Sequence, residues 1–184
     1  MAGHTDLSKY NNSWYDPGVG FIKRFFWYWI NAAFINSYFP FSSLKIFWLR
    51  MFGAKIGKGN IIKPKVNIKY PWKLKTGDNV WIGEYAWIDN LDDVILGNNV
   101  CISQGALLLC GNHNYIKETF DLVTGKIMLE DGVWVGAKAV VCPDTIMGSH
   151  SVLIAGSVAS GKLEPYGIYR GNKAVKVKER NIQG

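Results

Sequence analysis

Three histidines and three cysteines are the side chains of this 184-residue chain best suited to proton transfer, nucleophilic attack or metal binding. Imidazole changes charge near neutral pH, so a positioned histidine can act as a general base. His4 lies near the N-terminus, His150 follows Gly148 by two residues, and His113 follows Gly111 by two residues. Gly111 lets the backbone approach a neighbour closely just before that imidazole. Cys110 lies three residues before His113, which raises a cysteine nucleophile with a histidine base. Such a pair must meet in space, and packing is the other role open to the thiol. Cys101, Cys110 and Cys142 are odd in number and show no CxxC spacing, against a disulfide framework or a structural zinc site.

The elements that must position these groups follow from a period of six. Apolar residues recur at Ile56, Ile62 and Ile68; then, after a step of eight, come Thr76, Ile82 and Ile88. After a second step of eight come Leu96, Ile102 and Leu108. A gap of 21 follows, then Leu129, Val135, Val141, Met147, Leu153 and Ala159. Thr76 is the one polar residue among these 15 positions. Glycine follows the apolar residue at Gly57, Gly77, Gly83, Gly97, Gly136 and Gly148. Small or β-branched residues sit four positions after it in many repeats, as at Val66, Val80, Ala86 and Val100. This period matches neither an α-helix nor a simple alternating strand. It matches a parallel β-helix, in which three hexads form one triangular coil of about 18 residues and the repeating aliphatic residue points inward. Asn60, Asn79, Asn98 and Asn99 suit its corners. The steps of eight are small outward excursions, and the gap at about residues 110–128 is a longer loop that carries His113.

The flanks differ from this middle. Of 26 aromatic residues, 16 precede residue 53, whereas 17 of 20 glycines follow it, so the two parts should differ in architecture. Residues 1–52 read as an aromatic helical segment, 53–165 as the β-helix and 166–184 as a basic tail. Phe21 to Phe39 predicts a helix that Pro40 ends, and Ser42 or Ser43 caps a second helix running to about Phe52. Trp27, Trp29 and Trp48 near basic residues suit an interfacial membrane segment. Packing on the main domain or a neighbouring subunit is the alternative. Lys23, Arg24, Asn31 and Asn36 count against a membrane span. Nothing resembles a cleavable signal, so the expected location is the cytoplasm, including the inner face of the membrane. The net charge of +7 sits at the ends: +3 in residues 1–52, zero in 53–161 and +4 in 162–184. That distribution does not suit a nucleic-acid groove. It suits a compact polyanion or an anionic membrane surface.

Gly111-Asn112-His113-Asn114-Tyr115, Phe52-Gly53-Ala54-Lys55-Ile56-Gly57, Tyr70-Pro71-Trp72-Lys73-Leu74, Ile102-Ser103-Gln104 and Arg170-Gly171-Asn172 resemble stretches of the hexapeptide-repeat acetyltransferases, of the colanic acid acetyltransferase type. The resemblance covers nearly the whole chain. It implies a mainly β fold, a left-handed parallel β-helix with an N-terminal α-helical segment, assembled as a homotrimer with sites between subunits. It implies transfer of an acetyl group from acetyl-CoA to a sugar or oligosaccharide of a surface polysaccharide or its precursor, with no metal. His113 would be the general base for direct transfer. Asp89 and Asn90 fall where the family places acceptor contacts, with Asp92 and Asp93 as neighbouring alternatives. Trp134, Gly136 and Ala137, and one coil later Ala155 and Gly156, match turns that meet the pantetheine arm. Lys178 and Arg180 match terminal basic positions that meet CoA phosphates. Lys173 replaces the family's usual proline, a departure that bears on those phosphate contacts. The prism is expected to present flat polar sides to a threefold axis.

Two other readings compete. A non-catalytic scaffold or membrane-docking module would use the aromatic segment, but gains little from a long histidine-bearing loop. A γ-type carbonic anhydrase would need three histidines converging on zinc, and His4 and His150 fall outside any such cluster.

Overall fold

The computed structural model describes residues 4–171. From Lys55 to Tyr169 the chain winds as a parallel β-helix with three faces. Every rung pairs with the next in parallel register, and the same sequence column recurs from coil to coil. One face, here face A, stacks Ile56, Thr76, Leu96, Leu129, Met147 and Leu163 in its inner column. Face B stacks Ile62, Ile82, Ile102, Val135 and Leu153, and face C stacks Ile68, Ile88, Leu108, Val141 and Ala159. All but Leu163 are the residues picked out by the period of six, and all are buried except Ile56 and Thr76, which are half-buried. Thr76 breaks the apolar pattern for a visible reason: its Oγ1 accepts a hydrogen bond from Asn60 Nδ2 at 2.7 Å. The small residues four positions on, including Val66, Ala86, Ala106 and Ala139, also point inward and are fully buried. Two residues per hexad thus fill the narrow interior. The strand Ile168–Tyr169 continues face B beyond residue 165, inside the segment read from sequence as tail.

Corners hold the positive-φ residues that tight turns require. Asn79 and Asn99 both lie at φ 56°. Asn60 and Asn98 instead turn their side chains along the stack, where Asn98 Oδ1 accepts from Asp78 N at 2.9 Å. His150 turns the corner between faces A and B at φ 58° and is exposed, stacked on Tyr166.

All three sequence excursions leave the same corner, between faces C and A. The first contains the short 3-10 turn Pro71–Lys73, the second Leu91 and Asp92, and the third the His113 segment. The third is an antiparallel hairpin of Gly111–His113 and Leu122–Thr124, with His113 opposite Leu122. The sequence shows the gap but not that it folds back on itself.

The aromatic segment forms two helices, α1 (Phe21–Ile30) and α2 (Ser42–Met51), joined through a π-helical turn at Asn31–Ile35. The first helix is therefore shorter than the apolar run to Phe39 predicts. Asn36, at φ −86° and ψ 48°, leaves helical geometry before Pro40 is reached. Trp27, Ile35 and Leu49 join the prism's core and close the first coil. The open strand edges of that coil are also covered. Ser42 Oγ bonds both Ile62 N and Ile62 O at 3.1 Å, Lys45 Nζ donates to Lys63 O at 2.7 Å, and Arg50 donates to Ile56 O at 2.8 Å. Trp27 Nε1 donates to Ile68 O at 3.0 Å. Side chains of the helices thus stand where the backbone of a further coil would be. No helix among the described residues is long and apolar enough to cross a membrane.

Candidate active site

His113 is half-buried on its hairpin, and its surroundings fix its chemistry. Its Nδ1 lies 2.9 Å from Phe120 O. A carbonyl oxygen only accepts, so Nδ1 carries the proton in the neutral ring and Nε2 is the basic nitrogen. The ring stacks on Phe120 with centroids 4.4 Å apart and planes 9° apart. Tyr10 closes on it at 5.7 Å. Hairpin, backbone acceptor and two rings therefore hold one orientation.

The residues before α1 form the wall opposite. Asp6 N donates to Glu118 O at 3.0 Å and Lys9 Nζ pairs with Glu118 at 2.8 Å, tying the N-terminal strap across the His113 hairpin. Tyr15 O–H donates to Leu91 O at 2.6 Å, and Trp72 Nε1 donates to Pro17 O at 2.7 Å. A cleft of about 500 Å³ results, lined by Tyr10, Tyr15, Arg24, Lys69, Tyr70 and His113 among others. None of the first five was singled out as a site residue from sequence. The Tyr70-Pro71-Trp72-Lys73 motif, at the excursion preceding those of Asp89 and His113, was the available signal.

Asp89 and Asn90 take different roles. Asp89 lines a separate cleft that shares Arg24, Lys69 and Tyr70 with this one, and its Oδ1 lies 2.8 Å from Lys69 Nζ. Asn90 is fully buried; its Nδ2 donates to Tyr70 O at 2.6 Å and its Oδ1 accepts from Tyr70 N at 2.9 Å. Both ends of its amide are spent on the backbone of the preceding excursion. In the single chain Asn90, expected to touch the acceptor, holds the Tyr70 backbone with both ends of its amide. Asp93 pairs with Lys75 at 2.7 Å on face A. Cys110 is fully buried, and burial pushes its thiol up to about 12, which suits packing and not a thiolate nucleophile.

The expected pantetheine turns come together at a different corner, between faces B and C. Trp134 is exposed on face B, and its Nε1 donates to Ser103 Oγ at 2.9 Å. Gly136 N donates to Leu153 O at 2.8 Å, and Gly156 N donates to Ala137 O at 2.9 Å. A Cβ on Gly136 would strike the backbone nitrogen of Ala155, so glycine permits the neighbouring coil to close. Beside Trp134, face B holds a groove of about 230 Å³ lined by Trp81, Gly83, Cys101, Ser103 and Gln104. Lys178 and Arg180 lie outside the described residues. In one chain, then, the histidine and the turn set occupy the two borders of face C.

A histidine on a hairpin that leaves a hexad-built parallel β-helix is the arrangement of the hexapeptide-repeat acetyltransferases. No family model matches the chain. WcaF of Escherichia coli K12, assigned as a colanic acid biosynthesis acetyltransferase, is 33% identical over 177 residues, spanning 95% of this chain and 97% of that protein. The chain belongs to that family of acetyltransferases. Solved structures share its fold, two of them as follows. One is a hexapeptide-repeat acetyltransferase of Vibrio cholerae O1 biovar eltor complexed with acetyl coenzyme A, with TM-score 0.66 and 17% identity over 76% of this chain and 78% of that one. The other is a maltose O-acetyltransferase of Clostridium difficile 630, with TM-score 0.71 and 17% identity over 89% and 88%.

Proposed function

We propose that the protein transfers the acetyl group of acetyl-CoA to a hydroxyl of a sugar in a bacterial surface polysaccharide or its precursor. The carrying observation is His113, whose Nδ1 is committed to Phe120 O and whose ring lines a sugar-sized cleft. Nε2 takes the proton of the acceptor hydroxyl as its oxygen attacks the thioester carbonyl. The tetrahedral intermediate collapses, the C–S bond breaks, and the imidazolium returns the proton to the departing CoA thiolate. No metal enters these steps. Asp89 faces the acceptor, and Trp134, Gly136, Ala137, Ala155 and Gly156 flank the pantetheine arm. The kinship with WcaF supports the substrate class.

The active unit is a homotrimer. A threefold axis in front of face C would set the His113 border of one subunit against the turn border of the next. The outward column of face C is not the polar surface expected: it runs Asn67, Trp87, Leu107, Val140 and Val158. We place the enzyme in the cytoplasm, in peripheral contact with the membrane through the exposed aromatic face of α1. Incubation with acetyl-CoA and candidate sugars, read as thiol release, tests the function. Release that depends on a sugar supports it, and the absence of CoA binding at millimolar concentration overturns it.

A further inference from the structure

The cleft at His113 continues into a second one. Arg24, Lys69 and Tyr70 line both, and the second, of about 440 Å³, lies between α1, the π-helical turn and the outer side of face C at Trp87 and Asp89. Each volume lies within the usual range for a ligand pocket, roughly 300–1,000 Å³. Together they exceed what one sugar ring occupies.

Three polar atoms of residues lining the second cleft are buried without a hydrogen bond: Arg24 Nε, Asn31 Oδ1 and Asp89 Oδ1, of which only Asp89 has an ion-pair partner, Lys69 Nζ at 2.8 Å. Asn31 is oriented because its Nδ2 donates to Asn67 Oδ1 at 2.8 Å, which leaves Oδ1 as a free acceptor. Among the described residues no carboxylate pairs with Arg24, and Asp89 of the same cleft is engaged by Lys69. A buried unpaired donor and acceptor each cost stability unless something satisfies them. A guanidinium presents a planar fork that matches a carboxylate or phosphate. Trp87, 45% exposed, and Tyr28, 68% exposed, offer flat apolar walls at the same place.

We propose that the second cleft is a subsite for the sugar adjoining the acetylated one, and that Arg24 there receives an anionic group, a carboxylate or a phosphate, carried by the acceptor. Asn31 Oδ1 accepts from a neighbouring hydroxyl. The acceptor is therefore at least a disaccharide unit bearing negative charge. This rests on the acetyltransferase reading of His113.

The test measures binding by calorimetry and transfer by thiol release. Its ligands are a disaccharide containing a uronic acid, the same disaccharide with its carboxyl reduced, and the neutral disaccharide as its 1-phosphate. At least one anionic ligand should bind at least tenfold more tightly than the neutral one, the effect of a hydrogen bond to a charged group. In Arg24→Gln that ratio should fall to within twofold of unity, and Arg24→Lys should keep part of it. Preference for the uronate identifies a carboxylate, and preference for the 1-phosphate alone identifies a phosphate. Equal binding of all three by the wild-type protein overturns the subsite, as does an Arg24→Gln loss that is the same for charged and neutral ligands. Transfer without anion preference leaves the acetyltransferase reading standing and removes the subsite. Anion preference without transfer to any disaccharide does the reverse.

Discussion

A histidine serves as a base only when one nitrogen is free and held in place. At His113 the carbonyl of Phe120 settles which nitrogen that is. Replacing His113 with alanine should lower kcat by roughly 10²–10⁴-fold, the usual contribution of a general base. Affinity for CoA and the melting temperature should change little, because His113 lies outside the inner ladder. Steady-state thiol release beside a thermal melt checks this, and a variant retaining a tenth of wild-type kcat would remove His113 from the chemistry. Cys110 provides the contrast. Its thiol is fully buried and pushed up to about 12, so Cys110→Ala should retain transfer. Loss of turnover in a well-folded Cys110→Ala protein would revive a thiol nucleophile. The imidazole was legible in the sequence because Gly111 and the long gap mark it. Its partners were not, since Tyr10 and Phe120 are joined to it only by folding. Asp89 and Asn90 are adjacent in sequence, yet one faces a cleft and the other turns inward to bond Tyr70.

At the scale of elements, the ladder was readable because the interior admits only two inward positions per hexad, and that constraint prints itself as a period of six. The role of the helices was not readable, because it depends on bonds to strand edges. Lys45 shows the cost of that role. It is fully buried with its ammonium on one carbonyl, and desolvation pushes it down to about 8 from an ordinary 10.5. The folded chain therefore binds fewer protons than the unfolded chain between those values, and stability contributed at Lys45 rises as pH increases from about 8 to 10.5. Melting temperatures of wild type and Lys45→Met across that window check the sign. The difference should shift in favour of wild type as pH rises, and a constant difference would contradict the assignment. The outer side of α1 makes a separate case. Phe21, Phe25 and Trp29 form a row with ring centroids 6.2 and 6.4 Å apart, and Phe21 is 71% exposed. Replacing all three with serine should abolish flotation with anionic vesicles while leaving the melt unchanged. Substitution is the sharper test, since deleting residues 1–50 would also uncover the first coil. Equal flotation of both proteins, or none by either, would remove the membrane contact.

At the scale of the whole molecule, one prism holds the two proposed halves of the site apart. His113 leaves the border between faces C and A, whereas Trp134, Ala137 and Ala155 gather at the border between B and C. One chain cannot bring these borders together, because a full width of face C separates them. In the proposed trimer, a threefold axis facing C would join each border to its complement on the next subunit. The same arrangement would cover the column Leu107, Val140 and Val158, whose Val158 is 48% exposed in the single chain. A charge placed there would have to be buried unpaired on assembly, at a cost of several kcal/mol. Leu107→Glu and Val140→Glu should therefore sediment as monomers at micromolar concentration, where the wild type should sediment as a trimer. Both variants should keep the wild-type far-ultraviolet circular dichroism, since the altered side chains point away from the inner ladder. Transfer should be lost together with assembly, although His113 is intact. Adding the Leu107→Glu protein to wild type should not raise transfer above that of the wild type alone. A monomeric variant with full turnover would show that each chain holds a complete site. A wild-type protein that sediments as a monomer would leave the outward column of face C without the partner its composition calls for.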